Sequence, residues 1–294
     1  EEIAPRNIRG RAELMIQRIS SVEEMKAVAA GLRRDGKSIG LVPTMGYFHE
    51  GHTSLMRRSA ADNDDTIVTL FVNPTQFSPC EDLEKYPRNL ERDTELADEA
   101  GASFLFTPDN ASMYPAGYKT YVTVEGWSSR LCGISRPIHF RGVTTVCAKL
   151  FNICAPDRAY FGMKDAQQLL IIKKMVRDLN MNLEIVAMPT IRESDGLAMS
   201  SRNVYLNPEQ RKAATLISAG LTEAKKLVEA GEKRAEKALE AARAKLAESP
   251  LIKIDYLEAV SERTLEPTQD VVPGTLIAVA AYLGTTRLID NLSF

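Results

Sequence analysis

Residues 41–59, Leu41-Val-Pro-Thr-Met-Gly-Tyr-Phe-His49-Glu-Gly51-His52-Thr-Ser-Leu-Met-Arg-Arg-Ser59, decide how the chain is read. The short apolar run from Ile39 to Val42 reads as a buried strand; Pro43 and Gly46 break it, and a helical pattern starts near Glu50. Strand, turn and helix N-terminus in succession form the junction found at the carboxyl edge of a parallel sheet. There, unpaired helix N–H groups and the helix dipole attract phosphate. Two of the three histidines in the chain fall in this stretch. At a spacing of three, His49 and His52 share one face once the helix has begun, and both can reach one triphosphate. The same residues also read as a tight turn whose histidines only cap a helix. Zinc fits poorly, since the helical metalloprotease motif is His-Glu-x-x-His and this chain has His-Glu-Gly-His.

Working outward, 294 residues are enough to bury a sizeable core and to form two domains. The composition, 44% hydrophobic and 26% charged, is that of an ordinary globular enzyme. A net charge of -2 provides no electrostatic footprint for nucleic acid, so no nucleic-acid partner is expected. No long apolar span or secretory signal is seen, and no membrane association is expected. Cys80, Cys132, Cys147 and Cys154 contain no Cys-x-x-Cys pair and read as reduced packing residues of a cytoplasmic protein. Residues 1–14 are polar and aperiodic, an extension or a cloning remnant. Two domains are expected, 15–188 and 189–294.

Towards the N-terminus, Val22, Met25, Val28, Ala29 and Leu32 follow helical spacing behind a Ser21/Glu24 capping pattern. Towards the C-terminus, the run from Thr66 to Asn73 is too apolar for a half-exposed strand and fits a central parallel one. Asn73-Pro-Thr-Gln76-Phe77 follows it directly, so the amides of Asn73 and Gln76 lie where a ligand hydroxyl or carboxylate can meet them; a plain turn is the alternative. A helix is expected to end near Ala100, a short strand over 102–106, an edge strand over 118–124, and a helix from the Ser135–Gly142 stretch through Ile153. Arg158–Gln168 repeats the strand, glycine turn and helix order. Gly162 lets the backbone approach a ligand, and Lys164 places a compact charge near a helix start, which the dipole disfavours unless an anion is present. A last strand is expected over 182–189, then a turn-rich crossing to Leu197-Ala-Met199-Ser200-Ser201-Arg202-Asn203. Two Ala/Glu/Lys-rich helices, 209–230 and 232–247, precede strands near 252–260 and 275–283.

Pro43-Thr-Met-Gly-Tyr-Phe-His49-Glu-Gly-His52 resembles the nucleotide-binding signature of the pantothenate synthetase (pantoate–β-alanine ligase) family, relatives of the class I aminoacyl-tRNA synthetases and nucleotidyltransferases. The stretches at 73–77, 135–142, 158–168 and 197–203 resemble that family in the same order, as does 280–291. Differences from the family pattern are Ile138 for a glycine, Met163 for a residue that is often polar, and Tyr282 for a tryptophan. Ile138, being β-branched, resists a positive-φ backbone, so its loop is open to a different shape.

The resemblance implies an α/β fold: a Rossmann-like parallel sheet flanked by helices, with a smaller C-terminal α+β domain, commonly assembled as a homodimer. It implies ATP-dependent condensation of pantoate with β-alanine through a pantoyl-adenylate, with Mg2+ accompanying ATP; which residues hold the metal stays unknown. It further implies that ATP meets Met45, Gly46, Tyr47, Phe48, His49, Glu50, Gly51 and His52; then Gly162, Met163, Lys164 and Asp165; then Ile191, Met199, Ser200, Ser201 and Arg202. Of these, His49, His52, Lys164, Ser200, Ser201 and Arg202 would be catalytic, while Gln76, Gln168 and Asn73 would hold pantoate. A nucleotidyltransferase and a non-catalytic nucleotide sensor or RNA-binding relative are the rival readings. The first needs a second anion site where this chain has Gln76 and Gln168, and the second would have no need of Lys164 and Arg202.

Overall fold

The computed structural model describes residues 15–79 and 81–294; the segment 1–14 and Cys80 lie outside the described residues. The chain forms two compact units, interleaved rather than consecutive. The first takes residues up to Val122 together with Gly142–Phe161 and Val176–Met188; the second takes Thr123–Arg141, Gly162–Met175 and Pro189–Phe294.

The first unit is built on β1 (Gln17–Ile19), α1 (Val22–Arg34), β2 (Ile39–Thr44), α2 (Glu50–Asp62), β3 (Asp65–Leu70), α3 (Leu90–Glu99), β4 (Phe104–Phe106) and α4 (Asn110–Met113). Its sheet runs β1-β4-β3-β2 and continues into β5 (Arg158–Gly162) and β6 (Glu184–Met188). The pairs β1–β4, β4–β3, β3–β2 and β2–β5 are parallel. Ile39, Leu41, Val42, Ile67 and Val68 have no exposed surface, which explains why these strands read as continuous apolar runs. β2 and β3 are in register from Ile39 opposite Asp65 to Thr44 opposite Leu70. The turns that follow them therefore leave the same edge of the sheet side by side. Ser21 caps α1 as its sequence indicates, its Oγ accepting from the Glu24 N–H at 3.2 Å.

β3 stops at Leu70, short of Asn73, because the Asn73 side chain caps a 3-10 turn over Pro74–Gln76. The expected edge strand over 118–124 does not form. Helix side chains take up the backbone there: the Val122 N–H donates to Thr145 Oγ1 (3.0 Å), and its carbonyl accepts from Thr144 Oγ1 (2.6 Å). Tyr118 and Tyr121 pack edge to face, with Lys149 over the Tyr118 ring at 4.8 Å. α6 (His139–Cys154) supplies both threonines and the lysine.

The second unit holds α5 (Cys132–Ser135), most of α7 (Ala166–Asp178), α8 (Pro208–Glu229), α9 (Ala235–Leu246) and an antiparallel sheet β7 (Ile252–Ser261), β8 (Thr275–Leu283), β9 (Thr286–Ser293). Asn207 and Gln210 form a reciprocal capping box that starts α8. Buried Ala213, Ala214, Ala224, Ala238 and Ala242 let α8 and α9 pack closely. A Cβ on Gly220 would lie 2.4 Å from Leu246 Cδ1 and 3.0 Å from the Ala242 carbonyl, so this crossing requires glycine. The stretch 280–291 forms a hairpin of β8 and β9. Leu283 pairs with Thr286 across Gly284-Thr285, and Gly284, at φ 62, takes the positive-φ first position of a tight hairpin turn.

Arg192 grips Asp290 through two bonds, Nη1 to Oδ2 at 2.6 Å and Nη2 to Oδ1 at 2.9 Å, and the Asp290 side chain is 2% exposed. Arg192→Ala strands that carboxylate, and is expected to destabilise the protein by about 3 kcal/mol, the low end of the range because the guanidinium is partly solvated. A lower urea midpoint at unchanged slope is the readout; an unchanged midpoint would mean the pair contributes nothing.

Candidate active site

In the first unit, β2 gives way to two successive left-handed residues, Gly46 at φ 88 and Tyr47 at φ 54, before α2 begins. Glycine takes that conformation freely, whereas a tyrosine there costs about 1–2 kcal/mol. The opposing support comes from α3. Asp93, 1% exposed, accepts the Tyr47 N–H (2.6 Å) and the Phe48 N–H (2.7 Å) on its two oxygens. Its neighbour Arg92 donates to the Phe48 carbonyl (3.0 Å), and its guanidinium lies 5.5 Å from the centre of the Tyr47 ring. Burial pushes the Asp93 carboxyl up, against the downward pull of the two amides and of Arg92.

His49 is the N-cap of α2, and its Nδ1 accepts from the Gly51 N–H at 3.1 Å; His52 Nδ1 accepts from the His49 N–H at 3.4 Å. Both histidines therefore cap the helix, and this has a chemical consequence. With Nδ1 accepting, the neutral ring carries its proton on Nε2, so both imidazoles present an N–H donor. The rings sit 4.1 Å apart, centre to centre, and Phe48 packs 5.7 Å from His52. Gly51 makes room for this: a Cβ there would fall 2.8 Å from the His49 ring. Glu50 turns to Arg57 and Thr53 on its own helix.

Beside that loop, the 3-10 turn after β3 presents Gln76, which is 6% exposed. Gln76 Oε1 accepts from Asn73 Nδ2 (3.0 Å), while Gln76 Nε2 lies 3.1 Å from Met45 Sδ. A thioether is a weak acceptor that an incoming hydroxyl or carboxylate oxygen outcompetes. Asn73, 1% exposed, also donates to the Gly142 carbonyl (3.1 Å), and its Oδ1 accepts from Tyr114 (2.8 Å) and Thr75 Oγ1 (3.0 Å). Burial pushes the Tyr114 hydroxyl up to about 12, so it keeps its proton and donates at neutral pH. These bonds give Asn73 the geometry of a residue that holds Gln76 from behind. Gly142 on α6 lies against the turn, where an added Cβ would stand 2.5 Å from the Thr75 carbonyl and 2.6 Å from the Gln76 backbone.

In the second unit, Gly162 has ordinary extended torsions (φ -74, ψ 137), and a Cβ there would meet nothing within 4 Å. It leaves open space rather than a special turn. Met163–Asp165 is a 3-10 turn leading into α7, and Asn291 on β9 fixes it by donating to the carbonyls of Met163 and Lys164, both at 2.8 Å. Lys164, with its side chain 20% exposed, has Nζ 4.0 Å from Asp165. On α7, Gln167 turns inward to bind the loop before α5, donating to the Arg130 and Trp127 carbonyls and accepting from the Cys132 N–H. Gln168, half-buried, follows it. Ile138 has no positive φ, so the β-branched side chain meets no backbone conflict.

The Ser-Ser-Arg stretch is also in this unit. Ser200 caps the 3-10 turn Ser201–Tyr205, its Oγ accepting from the Arg202 N–H at 3.3 Å, and Ser201 is 7% exposed. The Met199 N–H closes on the Ile191 carbonyl (3.0 Å). Asn203 ties the loop to Glu193 and Ala198, and Arg211 holds Glu193 and Asp195. Cys132, Cys147 and Cys154 are buried free thiols, Cys147 pushed up to about 12 by burial, as inert packing residues would be.

No role was assigned from sequence to the supporting residues Asp93, Arg92 and Tyr114, nor to Gln167 and Asn291, although these two lie within the stretches 158–168 and 280–291. Only Asp93 left a trace: it lies four residues before Ala97, putting an acid on the face of α3 that buries an alanine.

Comparison with known proteins adds to this geometry. The family model described as pantoate-beta-alanine ligase matches residues 17–293. A pantothenate synthetase of Acetivibrio thermocellus is 53% identical over 274 residues, covering 93% of this chain and 98% of that protein. One of Syntrophus aciditrophicus is 53% identical over 276 residues, covering 94% and 96%. Among solved structures, a pantothenate synthetase of Thermus thermophilus superposes with TM-score 0.90 at 44% identity, covering 95% of this chain and 99% of that one. A pantoate-beta-alanine ligase of Francisella tularensis, complexed with beta-gamma ATP and beta-alanine, superposes with TM-score 0.78 at 31% identity, covering 95% and 97%.

Proposed function

Because this chain belongs to the pantoate–β-alanine ligase family, we propose a division of labour among its residues for that reaction. The chain condenses (R)-pantoate with β-alanine to give pantothenate, with ATP converted to AMP and pyrophosphate through a pantoyl-adenylate. A carboxylate is a poor acyl donor because it would have to expel oxide. Adenylation replaces that leaving group with AMP, so the protein's task becomes alignment and charge stabilisation.

In the first unit, the N-terminus of α2 and the Nε2–H donors of His49 and His52 stabilise ATP phosphates, with His52 donating the proton and Met45–Gly51 shaping the loop around the nucleotide. Gln76 orients pantoate, and Asn73 positions Gln76. In the second unit, the backbone of Gly162–Asp165 passes the nucleotide in open space. Lys164, Ser200, Ser201 and Arg202 neutralise the charge that moves onto the departing pyrophosphate, Gln168 orients pantoate, and Ile191 and Met199 contact ATP. Mg2+ carried on ATP would neutralise part of the phosphate charge. Among the described residues, no three His, Cys, Asp or Glu side chains gather to hold a metal by themselves. None of the described helices is long and apolar enough to cross a membrane. Family resemblance supports a homodimer in the cytoplasm.

The observation that carries the reading is the α2 N-terminus, where two imidazoles share one capping geometry at the carboxyl edge of a parallel sheet. Oxygen labelling tests it. Attack of a pantoate carboxylate oxygen on the α-phosphorus, followed by amine attack at the acyl carbon, leaves that oxygen on phosphorus. Pantoate labelled with 18O in its carboxylate is therefore expected to yield AMP carrying one 18O, and unlabelled AMP would rule out the adenylate.

A further inference from the structure

Three backbone groups of the signature loop are fixed by two adjacent side chains of α3, neither of which the sequence reading assigned to the site. Asp93 takes the N–H groups of Tyr47 and Phe48, and Arg92 takes the Phe48 carbonyl while covering the Tyr47 ring. The carboxylate is buried, which is costly unless its hydrogen bonds are all made, and the residue it restrains is the left-handed Tyr47. The restraint continues into the site. Phe48, 1% exposed, packs on His52, and His52 accepts from the next N–H along the loop, that of His49.

We propose that Asp93, with Arg92, is a positioning residue for adenylation: the pair holds residues 47–48 so that the His49 and His52 rings face the nucleotide. This rests on the reading of the histidines given above. Asp93 touches no reacting atom, and its effect passes through the Tyr47 and Phe48 backbone. Only a carboxylate satisfies the geometry. An asparagine of the same size accepts one N–H through its oxygen but turns an NH2 toward the other. Gly46 keeps room for this carboxylate, since a Cβ added there would lie 3.1 Å from Asp93 Oδ2. Arg92 provides an independent handle: its side chain is 46% exposed, so truncating it leaves the core of the unit intact.

The test separates the two half-reactions. In Asp93→Asn, pyrophosphate release from MgATP and pantoate is expected to slow about 10- to 100-fold, the scale of a misplaced catalytic group. Aminolysis of supplied pantoyl-adenylate by β-alanine is expected to change less than threefold. Arg92→Ala is expected to reproduce the split with a smaller loss, about three- to tenfold, at an unchanged melting temperature. A merely structural role would lower both half-reactions together, following the folded fraction. That outcome, or adenylation unchanged within twofold in both variants, overturns the proposal. A wild-type enzyme that forms no adenylate would instead overturn the underlying reading of the site, so the two failures are distinguishable.

Discussion

His52→Ala is expected to slow adenylation by about two to four powers of ten, the loss typical of a general acid or charge-stabilising group. His52 has two functions to separate. Its Nδ1 accepts from the His49 N–H at the start of α2, and the proposed reaction has its Nε2–H donate to phosphate. Alanine removes both; glutamine, the residue favoured at this position of a capping box, restores the acceptor and not the imidazole. His52→Gln is therefore expected to recover most of the stability lost in His52→Ala, about 1 kcal/mol, while remaining as slow in pyrophosphate release. Rapid-quench measurement of pyrophosphate from MgATP and pantoate, beside urea unfolding, reads the two functions independently. Near-normal pyrophosphate release in either variant would leave His52 as a cap alone.

The second large effect is expected at a residue with no functional group. Gly142 lies against the turn that carries Gln76, and a Cβ there would stand 2.5 Å from the Thr75 carbonyl and 2.6 Å from Gln76 N and Cα. All three are backbone atoms, so no side-chain rotation relieves the clash, and the turn must move off α6. The bond from Asn73 Nδ2 to the Gly142 carbonyl moves with it. Displacing a substrate-orienting amide by about 1 Å costs on the order of 100-fold. Gly142→Ala is thus expected to lower kcat/KM for pantoate by roughly that factor, with the KM for ATP changed far less. Unchanged pantoate kinetics would show that the Gln76 turn does not orient this substrate.

The parallel sheet was legible because β2 and β3 are covered on both faces and so wear their burial as unbroken apolar runs. The ends of α1 and α2 were legible because Ser21 and His49 cap them through local bonds. Long-range determinants were not legible. β1 is three residues long, too short to show a period, and it exists because Gln17–Ile19 pairs with β4. The 118–124 stretch alternated like a strand, but its Val122 backbone bonds Thr144 and Thr145 of α6 and its Tyr118 and Tyr121 pack on each other. At the site, the residues singled out were those expected to meet the ligand. Those that hold them in place, such as Asp93 behind Phe48 or Tyr114 behind Asn73, come from segments tens of residues away and make ordinary-looking sequence. Gly162 was read as letting the backbone approach a ligand; its torsions are ordinary, and what glycine provides there is empty space.

The most direct measurement of the whole account is product formation from MgATP with pantoate and β-alanine supplied singly and together. Sustained AMP release is expected only with both, accompanied by pantothenate, and a burst of pyrophosphate is expected with pantoate alone. Release of ADP, or AMP formation that does not depend on β-alanine, would contradict it.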